Sequence, residues 1–290
     1  MSSPRPASTV VLLRQGEVPE VFLVRRHGAS GFMAGATVFP GGKVDDADFD
    51  VEVEGRSADE CAAALGMSDP GVATAYFVAA VRELHEEAQV VLARDAEGRF
   101  PTGERLEELN RSLRALRSGH RVRAVDVHAL WRSHGLRPAL DRIHPFAWWV
   151  TPSAEPKRFD TRFFVARLPA GQRAHMDGFE TTAEHWLDAR AAVDAHDQST
   201  EIYLPPPTLH TLERLAELAG DAESVEQALA AVGCGPRIEP FFCRDGQGAP
   251  VIALPDDPLH PQSAHEPPRR NRFVLRDGRF RHESQGTDLI

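Results

Sequence analysis

Apolar residues at Val10 to Leu13 and at Val21 to Val24 bracket the turn-rich Gly16-Glu17-Val18-Pro19-Glu20, a pattern that predicts a β-hairpin. A shorter apolar run, Ala36 to Phe39, meets Pro40-Gly41-Gly42 and predicts a strand with a sharp glycine turn at its end. The period then changes. Phe77, Val81, Leu84 and Ala88 recur at helical spacing behind Asp69 and Pro70, an N-cap followed by a first-turn proline. Ser57 and Glu60 form a capping box for a shorter helix that runs through Leu65 and stops at Gly66. Leu106, Leu109, Leu113 and Leu116 predict a helix over 105–116, with a second around Val122 to Trp131. Strand character returns at Phe146 to Val150 and Arg162 to Leu168, which should complete a mixed sheet. Trp148 and Trp149 read as core fillers in the first of these strands. Pro205-Pro206-Pro207 precedes a helix expected from Thr208 to about Ala219, and Ser224 with Gln227 is expected to cap another that Gly233 ends. From Gly235 the chain is rich in proline, glycine and arginine. Asp277-Gly278 predicts a hairpin there, within a solvated and partly mobile tail.

The helix beginning near Pro70 carries the chemistry. Glu83, Glu86 and Glu87 share the face opposite its apolar stripe. Like charges at these spacings disfavour a helix by a few tenths of a kcal/mol per pair, roughly, and the dipole opposes them near its C-terminus. Arg82 offsets part of that charge. Hard oxygen donors on one face also suit Mg²⁺ or Mn²⁺ that retains waters and shares substrate phosphates. A solvated acidic face accounts for the same spacing. A glycine pair just upstream, where a backbone carbonyl can approach a ligand, turns strand, turn and acidic helix into a candidate site.

FPGGKVD at 39–45, followed by RELHEE at 82–87, resembles the Nudix box, in which a glycine loop and an REUxEE helix bind divalent metal. The resemblance implies an α/β chain with the Nudix α-β-α sandwich and mixed sheet over residues 8–219. Insertions at about 46–69 and 100–140 and a C-terminal extension over 220–290 complete that expectation. Position by position, it implies Glu83, Glu86, Glu87 and Gly42 at the metal and Arg82 orienting the carboxylates. Two departures stand out. An insertion separates Gly42 from the helix, so Thr74 occupies the place of the box's first glutamate, and Gln89 replaces the glycine that should close the helix. The acidic residues Asp45, Asp46, Asp48, Asp50, Glu52 and Glu54 at the start of that insertion are expected in a solvated loop. WVTP at 149–152, KRFDTRFFVARLP at 157–169, ETTAEHWLD at 180–188 and LPPPT at 204–208 extend the likeness toward the coenzyme A diphosphatase branch. A coenzyme A thioester or related nucleotide diphosphate is the implied substrate. Nudix enzymes often place a further loop carboxylate ahead of a late strand. Here Glu180 and Glu184 compete for that role, and Glu184 is expected because it lies nearer the strand. Arg25, Arg26 and Gly41 are the expected substrate contacts, and Glu83, Glu86, Arg82 and Glu184 the expected catalytic set. Hydrolysis of ADP-ribose or a dinucleotide, or a catalytically silent nucleotide-binding regulator, stay open beside this reading.

Composition narrows the classes. With 290 residues and 42% hydrophobic content the chain can bury a full core. A net charge of -10 argues against nonspecific nucleic-acid binding. Cys61, Cys234 and Cys243 are too scattered for a disulfide framework or zinc site, so reduced, inert thiols and a cytoplasmic setting are expected. No apolar run approaches membrane-spanning length. The helical insert and the tail offer surfaces for a homodimer.

Overall fold

The computed structural model of the protein describes residues 3–28, 33–117, 121–198, 201–218, 220–263 and 269–284. The first hairpin forms as its pattern predicts: β1 (Arg5–Arg14) and β2 (Glu20–Arg26) run antiparallel with Leu13 opposite Val21. β3 (Thr37–Val38) adds to β2. The glycine pair departs from expectation. Gly41 and Gly42 belong to β4 (Gly41–Lys43), which pairs back onto β1 with Gly42 opposite Ser8. Neither has a positive φ, so no turn demands them. Close approach does: a Cβ on Gly41 would lie 2.4 Å from the Ser8 carbonyl oxygen, and one on Gly42 would lie 2.3 Å from Glu83 Oε1.

The expected caps open the next two helices. Ser57 and Glu60 close a reciprocal capping box on α1 (Ala58–Leu65), and the Asp69 side chain accepts from the Val72 amide at the start of α2 (Pro70–Ala88). β5 (Ala93–Arg94), α3 (Gly103–Leu116), α4 (Ala124–Ser133) and β6 (Arg137–Pro138) build the helical insert, with β5 and β6 paired at its base. Leu106, Leu109 and Leu113 of the leucine stripe are buried, whereas Leu116 is exposed. β7 (His144–Val150), β8 (Phe159–Arg167) and β9 (Thr181–Asp188) return to the main sheet.

Then follow α5 (Ala189–Gln198), α6 (Pro206–Ala216) and α7 (Ala222–Val232). α6 starts two residues before the expected Thr208, because prolines at the first turn give up only amides that have no helical partner. Its expected end at Ala219 lies outside the described residues. Asp221, not Ser224, caps α7, accepting from the Ser224 amide at 2.8 Å. Gln227 reaches Glu223 instead.

Among the described residues the main sheet runs β10 (Arg237–Ile238), β7, β8, β1, β2, β3, with β4 on β1 and β9 on β2. β1 and β8 are parallel over nine pairs and most other neighbours antiparallel, which makes the sheet mixed. Period-2 alternation splits it cleanly. Val10, Leu12, Phe22 and Val24 face α1 to α4, while Val11, Leu13, Val21 and Leu23 face α5 to α7. The result is an α-β-α sandwich.

The C-terminal segment corrects the expectation of a mobile tail. β11 (Phe241–Arg244), β12 (Pro250–Ala253), β13 (Asn271–Arg276) and β14 (Arg279–Ser284) form a four-stranded antiparallel sheet, and Phe273, fully buried, joins the core under α5 to α7. Asp277 and Gly278, with φ of 51° and 77°, make the predicted two-residue hairpin turn. Arginines that looked like a solvated basic patch are partly tied down: Arg272 binds buried Asp257 at 2.7 Å, and Arg279 donates to the His196 and Ile202 carbonyls. Among the described residues the three cysteines are free, and no helix is long and apolar enough to cross a membrane.

Candidate active site

α2 is buried almost all round its C-terminal half, so its carboxylates are not a solvated face. Glu83, Glu86 and Glu87 expose 1%, 3% and 4% of their surface. Charges so buried need partners. Arg82 supplies the largest share, and all five of its N–H donors are used. Nη1 donates to Glu83 Oε1 at 2.8 Å and Glu86 Oε1 at 2.7 Å; Nε and Nη2 form a fork on Asp48 at 2.8 and 2.9 Å; Nη2 also reaches the Lys43 carbonyl. Asp48 thus corrects the expectation of a solvated acidic loop. Spacing along α2 shows Thr74 where a carboxylate is absent, and the insertion returns one in space from a short turn at 46–49. The signal was present in the sequence: Asp45 and Asp48 form a capping box that pins the turn. His128 Nε2 stands 3.1 Å from the same Asp48 oxygen without aligned hydrogen-bond geometry.

Burial alone would lower Arg82, but the charge of Glu83 and the bonds to Asp48 override it and hold the guanidinium cationic. The carboxylates go the other way. Burial, and then the charge of Glu83, push Glu86 up to about 7. The same two causes push Glu87 up to about 8, against the opposing hydrogen bond from the Gly41 amide at 2.9 Å. Gly41 therefore fixes Glu87 through its backbone, and Gly42 leaves room for Glu83.

A second cation completes the wall. Arg121, ahead of α4, places Nη2 3.0 and 3.2 Å from the two Glu83 oxygens and Nε 3.3 Å from Glu180. Nothing in the periodicity singled it out. The structure brings Glu180 to the carboxylate cluster and leaves Glu184 outside it. Glu184 accepts from the Met176 amide and sits 3.4 Å from His175 Nδ1. Lying nearer to β9 placed Glu184 within the ladder, opposite Val24, whereas Glu180 stays on the loop that enters the site. Of the two expected arginines, Arg26 lines the site cavity beside Glu87, and Arg25 does not.

The donor set fits a divalent cation as a shared site. Asp48, Glu83, Glu86 and Glu87, with Glu180 beside them, face Arg82, Arg121 and Arg26, so positive charge falls short once Glu86 and Glu87 are ionised. Among the described residues no three acidic, histidine or cysteine side chains converge into a cage, because Arg82 spans Glu83 and Glu86 while Gly41 holds Glu87. An ion that keeps waters and shares ligand oxygens matches this open arrangement.

The sign of proton linkage gives a test. Glu86 and Glu87 titrate higher in the folded protein than the ordinary ~4.3 of an unfolded glutamate. The folded state therefore binds more protons between about pH 4.5 and about pH 8, and the metal-free protein is expected to lose stability as pH rises through that window. Mg²⁺ binds only deprotonated carboxylates and so competes with protons there, stabilising the folded state more as pH rises, which should flatten the slope. Urea unfolding at several pH values, with and without Mg²⁺, measures both; identical slopes would remove the cation from these residues.

The end of α2 shows how the chain manages without the usual glycine. Gln89 adopts the left-handed conformation itself, φ 56° and ψ 23°, at a cost on the order of 1 kcal/mol. Tertiary bonds hold it: Asn110 of α3 donates to the Gln89 carbonyl, Arg114 donates to its side chain, and its amide reaches the Met176 carbonyl. Trp131 Nε1 of α4 donates to His85 Nδ1, so the His85 proton lies on Nε2, 3.0 Å from Asn110 Oδ1. Burial pushes His85 down to about 4, which keeps it neutral in this relay. The insert is thereby clamped to the carboxylate helix. Asn110→Ala strands the His85 donor and the Gln89 carbonyl, and about 2 to 4 kcal/mol of stability should disappear in denaturant titration.

Residues 60–215, more than half of the chain, match the family described as the NUDT19 Nudix domain. An acyl-coenzyme A diphosphatase NUDT19 of Xenopus laevis is 27% identical over 281 residues, an alignment spanning 84% of this chain and 72% of the relative. The Homo sapiens protein of that name is 30% identical over 242 residues, spanning 69% and 61%. A crystal structure of a NUDIX hydrolase from Alicyclobacillus acidocaldarius superposes with a TM-score of 0.63 at 27% identity, over 81% of this chain and all of that one. With its sandwich, its carboxylate helix tied through Arg82 to Asp48, and this match along more than half its length, the chain belongs to the NUDT19 Nudix domain family and is a Nudix hydrolase.

Proposed function

We propose that the protein hydrolyses the diphosphate of coenzyme A or an acyl-coenzyme A, with Mg²⁺ or Mn²⁺ held at Glu83, Glu86 and Glu87. The observation that carries this reading is a cavity of about 610 Å³ lined both by Glu87, Gly41, Arg26, Arg121 and Glu180 and by aromatic and proline side chains. One ligand with a charged diphosphate and a long, weakly polar arm matches both kinds of lining. The names of the curated relatives support the same substrate class.

In this reading the chain's own groups divide the work. Arg82 keeps Glu83 and Glu86 oriented, Gly41 holds Glu87, and Arg26 and Arg121 meet the phosphate oxygens. Glu180 is placed better than Glu184 to accept a proton from the attacking water, since a base must lie within hydrogen-bond reach. A bound divalent cation supplies charge neutralisation and a lower pKa for that water. Water adds to one phosphorus and the bridging P–O bond breaks, giving 3′,5′-ADP and 4′-phosphopantetheine or its acyl thioester.

A Mg²⁺-dependent assay of coenzyme A, acyl-coenzyme A, ADP-ribose, NADH and dinucleoside polyphosphates, with product identification, tests it. Preference for the first two supports the reading. Turnover of ADP-ribose or a dinucleotide alone, or binding without product, overturns it.

A further inference from the structure

The cavity wall does not come from the sandwich alone. It is completed by the C-terminal sheet, through Phe242 of β11, Ile252 of β12 and Phe280 of β14. Cross-strand pairing explains the placement. Phe242 pairs with Ile252 and Ile252 with Phe273, so the three share the sheet face turned to the core. Phe273 is fully buried and Ile252 nearly so, while Phe242, at the edge of that row, is 40% exposed and opens into the cavity. The Phe280 ring meets Phe242 edge to face at 6.4 Å.

Charge is sorted along the same cavity. Arg121 sits on Glu83 and Glu180, Arg26 beside Glu87, and Lys43 follows the glycine pair, so these cations collect at the carboxylate end. A phosphorylated nucleoside belongs there. Phe159, Thr161 and Phe163 line the floor from alternate positions of β8, a run of about 13 Å. Opposite Thr161, the buried Trp149 ring packs against His210 at 5.4 Å and makes that stretch of the wall rigid.

Resting on the proposed acyl-coenzyme A reading, we infer that the C-terminal sheet is the specificity wall of the active site: Phe242, Ile252 and Phe280 receive the acyl chain. The sheet thus sets chain-length preference without touching the reacting phosphorus.

The test uses the full chain and kcat/KM for free coenzyme A, a short acyl thioester and a long one. In Phe242→Ser the ratio of long-chain to free coenzyme A should fall about tenfold, and Phe242→Leu should restore most of it, since about one methylene's worth of pocket contact is worth at least roughly that factor. The loss should appear in KM. Titration calorimetry of a long-chain acyl pantetheine without metal should show the same loss of affinity in the serine variant. An unchanged ratio, or equal losses for free and acylated substrate with a lowered unfolding midpoint, overturns the inference. Failure of the wild-type protein to cleave any coenzyme A derivative overturns the underlying reading instead, and the wild-type substrate panel detects that before any variant is made.

Discussion

Glu87→Gln is expected to reduce kcat for diphosphate cleavage about 10²- to 10³-fold, the scale on which removal of one preorganised electrostatic group acts. Glutamine keeps the shape and can still accept the Gly41 amide, so the site loses a charge and little else. The same substitution should make the metal-free protein more stable at neutral pH, because Glu87 is a buried carboxylate that burial and Glu83 already press toward its neutral form. Activity and stability therefore move in opposite directions. Steady-state assays at saturating Mg²⁺ and urea unfolding in chelator measure the two; unchanged turnover would take Glu87 out of the reaction.

Arg82→Met should fail in the other sense, by unfolding. Its guanidinium is the buried counter-charge of Asp48, Glu83 and Glu86, and removing one member of a buried ionic set typically costs about 3 to 5 kcal/mol. Methionine fills much of the volume, so the loss reports charge. Adding Asp48→Asn to Arg82→Met removes one stranded carboxylate, and part of the stability should return, a non-additivity expected of groups in one network. A loss below about 1 kcal/mol in the single variant would place these carboxylates in water after all.

Much of the site was legible from short-range patterns. The hairpin, the caps at Ser57 and Asp69, the helix bearing Glu83, Glu86 and Glu87, and Arg82 beside them all follow from spacing that the backbone reads locally. What was missed lay far away in sequence. Asp48 reaches Arg82 across 34 positions, and Arg121 reaches Glu83 across 38. Glu180 and Glu184, four residues apart, differ in place: Glu184 lies within the β2 ladder opposite Val24, and Glu180 lies just ahead of β9 with its side chain on Arg121. Gly41 and Gly42 looked like a turn because glycine commonly marks one. Here they are a strand pressed against β1 and Glu83. The arginine-rich tail was misjudged for a related reason: composition registers its polarity but not the row from Phe242 to Phe273 that pairing assembles.

The amino-acid order alone determined the first hairpin, where α1 and α2 begin, and that three carboxylates lie together along α2, since these depend on residues within a turn or two of each other. Only the fold decided that those carboxylates would be buried, that an aspartate from an insertion would balance their arginine, and that a distant sheet would wall the cavity. Such outcomes depend on which surfaces pack together, and the free energy of a buried charge is set by whatever the rest of the chain brings to it.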